Sequence, residues 1–198
     1  MKNYERYNKV SSQEFDKKTI MSFFCRVLID PKIFAVMADI KNKKVLDVGL
    51  GTGNYTRHFV DNNSVVGIDQ NPHLCKLDIE VHKGDATNIM NLVNGEKFDI
   101  VFSTWMTEYL NHEQLNAFFG EAKKVLNDNG RLITTVISNW GLGFMYVTLA
   151  KILKGINKYN YSKKNIIKSL KRAGFENINI IRLHSWLGMP WAYLVIAE

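Results

Sequence analysis

Three glycines at alternate positions, Gly49, Gly51 and Gly53, follow the short apolar run Val45, Leu46 and Val48, with an acid, Asp47, set inside it. Such a run marks a strand buried on both faces. Glycines at its end allow positive φ and let the backbone approach a ligand closely. A helical pattern through Tyr55 and Phe59 is read after the turn, and the start of a helix offers unpaired N–H groups to that ligand. The arrangement is that of a nucleotide-cofactor loop. A dinucleotide loop has the spacing G-x-G-x-x-G. Here the spacing is G-x-G-x-G, and Asn54 stands where the last glycine of the dinucleotide pattern would be. Asp47 lies two residues before the first glycine. An acid there is unfavourable beside a diphosphate, but not beside a ligand carrying an ammonium and a sulfonium.

Further strands must position that turn. Ser64 to Asp69 is a second buried run ending in an acid, where a carboxylate can accept from both hydroxyls of a ribose. Val81 to Thr87 reads as a third strand with Asp85 at its end, Phe98 to Ser103 as a fourth, and Arg131 to Ser138 as a fifth. The fifth is entered through a turn at Asn127 to Gly130.

This series resembles the class I S-adenosylmethionine-dependent methyltransferases. VLDVGLGTG is similar to the family's first motif, VVGID to its second, KGDAT to its third and FDIVFS to its fourth. The ending AGFENINI and WAYLVIAE looks like the family's last helix and two terminal strands. The resemblance implies S-adenosyl-L-methionine as cofactor. It places Gly49, Gly51 and Gly53 along the methionine part, Asp47 near the amino group, Asp69 on the ribose, and Asp85 with Ala86 beside the adenine. Ser103, at the end of the fourth motif, joins this cofactor-binding set. Leu50 departs from the small or polar residue common between the first two glycines.

The fold implied is α/β, a Rossmann-like three-layer sandwich with a seven-stranded, mostly parallel sheet whose last strand is antiparallel. The 198 residues suit one domain. We divide it into an N-terminal helical lid (1–43), a cofactor-binding core (44–138), a substrate-side insertion (139–161), and a terminal helix with a strand pair (162–198). Ser11 and Glu14 form a capping box, and Asp30-Pro31 starts a second helix. Asn111 and Gln114 cap a helix whose apolar face is Leu115, Phe118, Phe119, Ala122, Val125 and Leu126. Ser162 caps another, with Ile166, Ile167, Leu170 and Ala173 inward and Gly174 as its stop. Trp140 to Ala150 is uncharged. It is read either as a core helix or as an apolar wall over the acceptor.

Methyl transfer from a sulfonium is an in-line displacement on an already activated donor. Alignment and exclusion of water carry most of the catalysis. A base is needed only for an acceptor protonated at working pH. The candidates are Glu108 and His112 after the fourth strand, and His184 before the last; Tyr109 could orient an acceptor. The fourth strand runs into Ser103-Thr104-Trp105-Met106, not the Asn/Asp-Pro-Pro-aromatic motif of amino-group methylation on adenine or glutamine. No Pro-Cys pair follows, as cytosine C5 methylation would need, and no paired acids suggest a metal-dependent catechol site. No metal site is read. What remains is O-, N- or C-methylation of a small, apolar or amphiphilic acceptor.

The net charge is +7, and no acid occurs from Asn129 to Phe175. That leaves a second reading, RNA or protein methylation using the basic 151–172 face, and a third, a non-catalytic binding module. Nucleic acid is not the expected partner, because Lys163 to Arg172 holds no aromatic residues to stack on bases. Neither a membrane-length apolar run nor a signal-type N-terminus is present. Peripheral membrane contact stays open. Cys25 and Cys75 form no disulfide framework, and the chain is read as cytoplasmic.

Overall fold

The computed structural model describes residue 27, residues 29–184 and residues 188–198. Its strands are β1 (Lys44–Val48), β2 (Ser64–Asp69), β3 (Glu80–Lys83), β4 (Phe98–Ser103), β5 (Leu126–Ile137), β6 (Ile178–His184) and β7 (Pro190–Ala197). Its α-helices are α1 (Asp30–Met37), α2 (Ile89–Leu92), α3 (His112–Val125), α4 (Leu142–Lys154) and α5 (Lys163–Arg172). The seven strands form one sheet in the order β3-β2-β1-β4-β5-β7-β6. The pairs from β3 across to β5 are parallel, and β7 runs antiparallel to both β5 and β6. The strand order reverses between β1 and β4, which opens a crevice at the carboxyl ends of these strands.

One apolar cluster covers each face of the sheet. Leu115, Phe118, Phe119 and Ala122 of α3 join Ile166 and Leu170 of α5 on one side. Ile33 and Met37 of α1 pack with Phe59, Phe102 and Leu194 on the other. These helices begin where their caps require. Pro31 stands in the first turn of α1. Asn111 and Gln114 complete a reciprocal capping box on α3, and the Ser162 side chain accepts from Asn165 N on α5. The capping box read at Ser11 and Glu14 lies outside the described residues.

Two local expectations are corrected. The helix expected after the glycine turn is replaced by two short 3₁₀ turns, Thr56–His58 and Val60–Asn62. The Thr56 hydroxyl donates to the Asp47 carboxylate at 2.5 Å, and the Asn63 amide donates to the carbonyls of Phe59 and Ile40. The Asp61-Asn62-Asn63 run favours such local bonds over a helix ladder. β5 also starts earlier, at Leu126. Phe98 sits opposite Leu126 while Ile100 sits opposite Arg131, so residues 127–130 form an irregularity within the strand.

Candidate active site

The crevice holds a cleft open to solvent. Its floor is the glycine turn from Val48 to Thr52, continued by Asn54 and Tyr55. Asp69 and Gln70 stand on one side, Asp85 and Ala86 beyond them, and Trp105, Met106 and Tyr109 on the other.

The turn is held by its own acid. The Gly51 N–H donates to Asp69 Oδ2 at 2.9 Å, and the Asn71 N–H donates to Asp69 Oδ1 at 2.8 Å. Gly51 has φ +56°, and a Cβ there would meet no atom within 4 Å. Its bare backbone thus borders open space. Gly49 and Gly53 serve packing. A Cβ on Gly49 would lie 2.4 Å from Met106, and one on Gly53 would lie 2.7 Å from Leu77. Asp85 accepts from Gln70 Nε2 at 2.9 Å and from the backbone and hydroxyl of Thr87, which fixes its carboxylate at the far end of the cleft.

Asp47 lies beneath the turn, buried, with the Thr56 hydroxyl on its carboxylate. Burial pushes its carboxyl up to about 7, against the Thr56 bond and with the Asp69 charge adding to the rise. A cation in the cleft would relieve both carboxylates.

The aromatic wall is tied to the rest of the molecule. Trp105 has φ +58°, a conformation uncommon for a side chain of this size. Its backbone N–H donates to Thr135 Oγ1 at 2.7 Å, and its indole N–H donates to the Tyr55 hydroxyl at 2.7 Å. The Tyr55 hydroxyl donates in turn to Asp30 Oδ1 at 2.8 Å.

The cleft brings together Gly49, Gly51, Asp69, Asp85 and Ala86 of the residues expected there. Asp47, Gly53 and Ser103 do not line it. Ser103 is fully buried and its hydroxyl has no hydrogen-bond partner. Glu108 is buried and does not line the cleft. It pairs with Lys158, and the Tyr146 hydroxyl joins the pair by bonding to both, at 3.3 Å from Glu108. Glu108 Oε2 has no partner. His112 is exposed and stacks on the Tyr161 ring, outside the cleft. His184 closes β6 at the edge of the sheet, and its side chain lies outside the described residues. None of Trp140 to Leu153, read either as a core helix or as an apolar wall, lines this cleft. Tyr55, Gln70 and Trp105 were not singled out from the sequence. A polar or aromatic residue just past a motif was the one available signal.

These residues fit S-adenosylmethionine. Each Asp69 oxygen uses one lone pair on a backbone N–H, leaving one apiece for a vicinal diol. Aromatic faces of Tyr55, Trp105 and Tyr109 suit a cation. Among the described residues that line the cleft none is Lys, Arg or His, so these residues offer a diphosphate no counter-charge.

Comparison with known proteins agrees. Residues 46–134 match the family model described as a methyltransferase domain. That stretch, a little under half of the chain, is similar to a methyltransferase domain, and the seven-stranded sheet has the Rossmann-like methyltransferase fold. The chain is 26% identical over 113 residues to phosphoethanolamine N-methyltransferase 1 of Triticum aestivum, covering 52% of this chain and 23% of that protein. It is 26% identical over 110 residues to the protein of the same name from Caenorhabditis elegans, covering 50% and 22%. The chain therefore spans under a quarter of the length of either relative. The methyltransferase fold is shared with a possible histamine N-methyltransferase of Thermotoga maritima, at TM-score 0.74 and 16% identity over 98% of both chains. It is shared with magnesium protoporphyrin IX methyltransferase of Synechocystis, solved with bound SAH, at TM-score 0.66 and 16% identity over 99% and 93%.

Proposed function

We propose that this chain transfers a methyl group from S-adenosylmethionine to a small acceptor with an apolar or amphiphilic body. The observation that carries the reading is the cleft itself, in which a turn pinned by Asp69 faces a wall of Trp105, Met106 and Tyr109. The bound cofactor supplies an electrophilic methyl group. Asp69 and Asp85 hold the nucleoside end, and Gly51 lets the backbone come close. Trp105, Met106, Tyr109 and Leu110 give the acceptor an apolar surface and exclude water from the line of attack.

Among the described residues, neither Glu108 nor His112 lines the cleft. Glu108 is engaged with Lys158, and His112 is exposed and stacks on Tyr161. An acceptor whose nucleophile carries a free lone pair, or is already ionised, needs none. Two relatives are named for phosphoethanolamine. With no Lys, Arg or His among the described lining residues, these residues give a phosphate monoester no counter-charge. That favours an uncharged or cationic acceptor here.

The test has two stages. Titration calorimetry should show one site for S-adenosylmethionine and its demethylated product. A labelled-methyl assay should then turn over uncharged aryl or acyl acceptors in preference to phosphoethanolamine. Preference for phosphoethanolamine would overturn the acceptor class and leave the methyl donor intact. Binding of NAD, with none of S-adenosylmethionine, would overturn both.

A further inference from the structure

We infer that α4 docks the chain flat on an anionic lipid bilayer. The helix has two unlike sides. Gly143, Tyr146, Val147 and Ala150 turn toward the sheet, with the Tyr146 ring 5.4 Å from Trp191. At Gly143 a Cβ would lie 2.3 Å from the Trp191 carbonyl and 2.4 Å from that of Ser138, so this side is seated hard against the ends of β5 and β7. The other side is apolar and exposed. It carries Phe144, Met145, Leu149, Ile152 and Leu153, with Trp140 just before the helix. Ile152 is 71% exposed, Leu153 74% and Trp140 62%.

At 100° per residue these five helical positions fall within one half of the circumference. The polar residue among them, Thr148, donates its hydroxyl back to the Phe144 carbonyl at 2.9 Å. It therefore asks nothing of water. An exposed apolar face of this extent marks an interaction surface.

Charge identifies the partner. Lys151, exposed, borders the face, and no acid occurs anywhere from Asn129 to Phe175. On a chain of net charge +7, an apolar stripe bordered by Lys151, on a helix that carries no acid, complements anionic headgroups over acyl chains. Thirteen residues of helix make about 20 Å, short of the roughly 30 Å of a bilayer core. No helix among the described residues is long and apolar enough to cross a membrane. The helix therefore lies in the interface and does not span it. This inference is independent of the acceptor, because it is read without turnover.

The test is co-sedimentation of the full chain with vesicles of phosphatidylcholine alone and of phosphatidylcholine mixed with phosphatidylglycerol. Binding should require the anionic lipid and weaken with salt. A double variant, Ile152→Ser with Leu153→Ser, should bind those vesicles at least about tenfold more weakly, since it removes two apolar side chains from the contact without changing the charge. Both positions face solvent, so affinity for the demethylated cofactor and the circular dichroism spectrum should stay unchanged. Lys151→Glu should weaken binding with the apolar face intact. Equal binding to both vesicle types, or a double variant that sediments like the parent, would overturn the proposal. So would a parent chain that is dimeric in solution and becomes monomeric in the double variant, because a second copy would then cover the face.

Discussion

The indole N–H of Trp105 donates to the hydroxyl of Tyr55 across 2.7 Å, joining the loop after β4 to the loop after β1. The same hydroxyl donates to Asp30 on α1. Both walls of the cleft and one covering helix thus meet at one oxygen. Tyr55→Phe removes the acceptor of the indole and the donor to Asp30. It should lower stability by about 1–3 kcal/mol, the scale for polar groups left unpaired. Urea denaturation measures the loss, and a change in tryptophan emission should report the freed indole.

Asp69 both shapes the turn and faces the cleft. Asp69→Ala releases the N–H groups of Gly51 and Asn71 and removes the carboxylate proposed to hold the ribose. Affinity for the demethylated cofactor should fall by about 1–3 kcal/mol. Asp69→Asn keeps one acceptor oxygen and should lose less. Calorimetry with the two variants separates these outcomes, and unchanged affinity in both would remove Asp69 from the site.

Asp47 makes stability depend on pH. Its carboxyl is raised from an ordinary 3.8 to about 7, chiefly by burial. Between those values the folded chain keeps a proton that the unfolded chain has released. The stability this gives is fully present below about pH 4 and is lost as pH rises through about 7. Asp47→Asn should flatten that fall, by a few kcal/mol between the two ends. Urea denaturation at a series of pH values compares the slopes. Parallel curves for parent and variant would mean that the carboxyl is not held neutral.

Glu108 and Lys158 form a buried pair, and removing one partner strands the other. Lys158→Met should cost about 3–5 kcal/mol because a buried carboxylate loses its counter-charge. Glu108→Gln leaves Lys158 with an amide oxygen and should cost less. If Glu108 is structural, turnover per folded molecule stays near the parent value in Glu108→Gln. A loss of two or more orders of magnitude in kcat with unchanged stability would restore it as a base.

Local pattern made much of this molecule legible before any coordinates. The apolar runs at Val45 and Phe98 became central strands, and the caps at Asn111 and Ser162 opened α3 and α5. These features are set by neighbours a few residues apart. The Trp105–Tyr55 bond joins positions fifty apart, as does the Lys158–Glu108 pair. No periodicity encodes such partners. Glu108 therefore read as a free carboxylate, because nothing near it in sequence announces Lys158. The segment after the glycines read as a helix because its apolar spacing permits one. Side chains of Thr56 and Asn63, bonding to groups from other parts of the chain, decided otherwise. In α4 the apolar residues were plain, but which of them face the sheet was not. A helix apolar on both sides carries no polar stripe to orient it.

The strand order also governs when the cleft comes into being. β1 is bordered by β2 on one edge and by β4 on the other. A partly folded chain with β1 to β3 in place would own Asp69 and Asp85 but lack the Trp105 wall. Parallel strands need long crossovers, and pairings of this kind form slowly. The two walls meet only when the second crossover closes, so the binding surface exists only once β4 has joined β1. A ligand that needs both walls can recognise little before that point. It should act as a brake on unfolding and leave the speed of folding almost untouched.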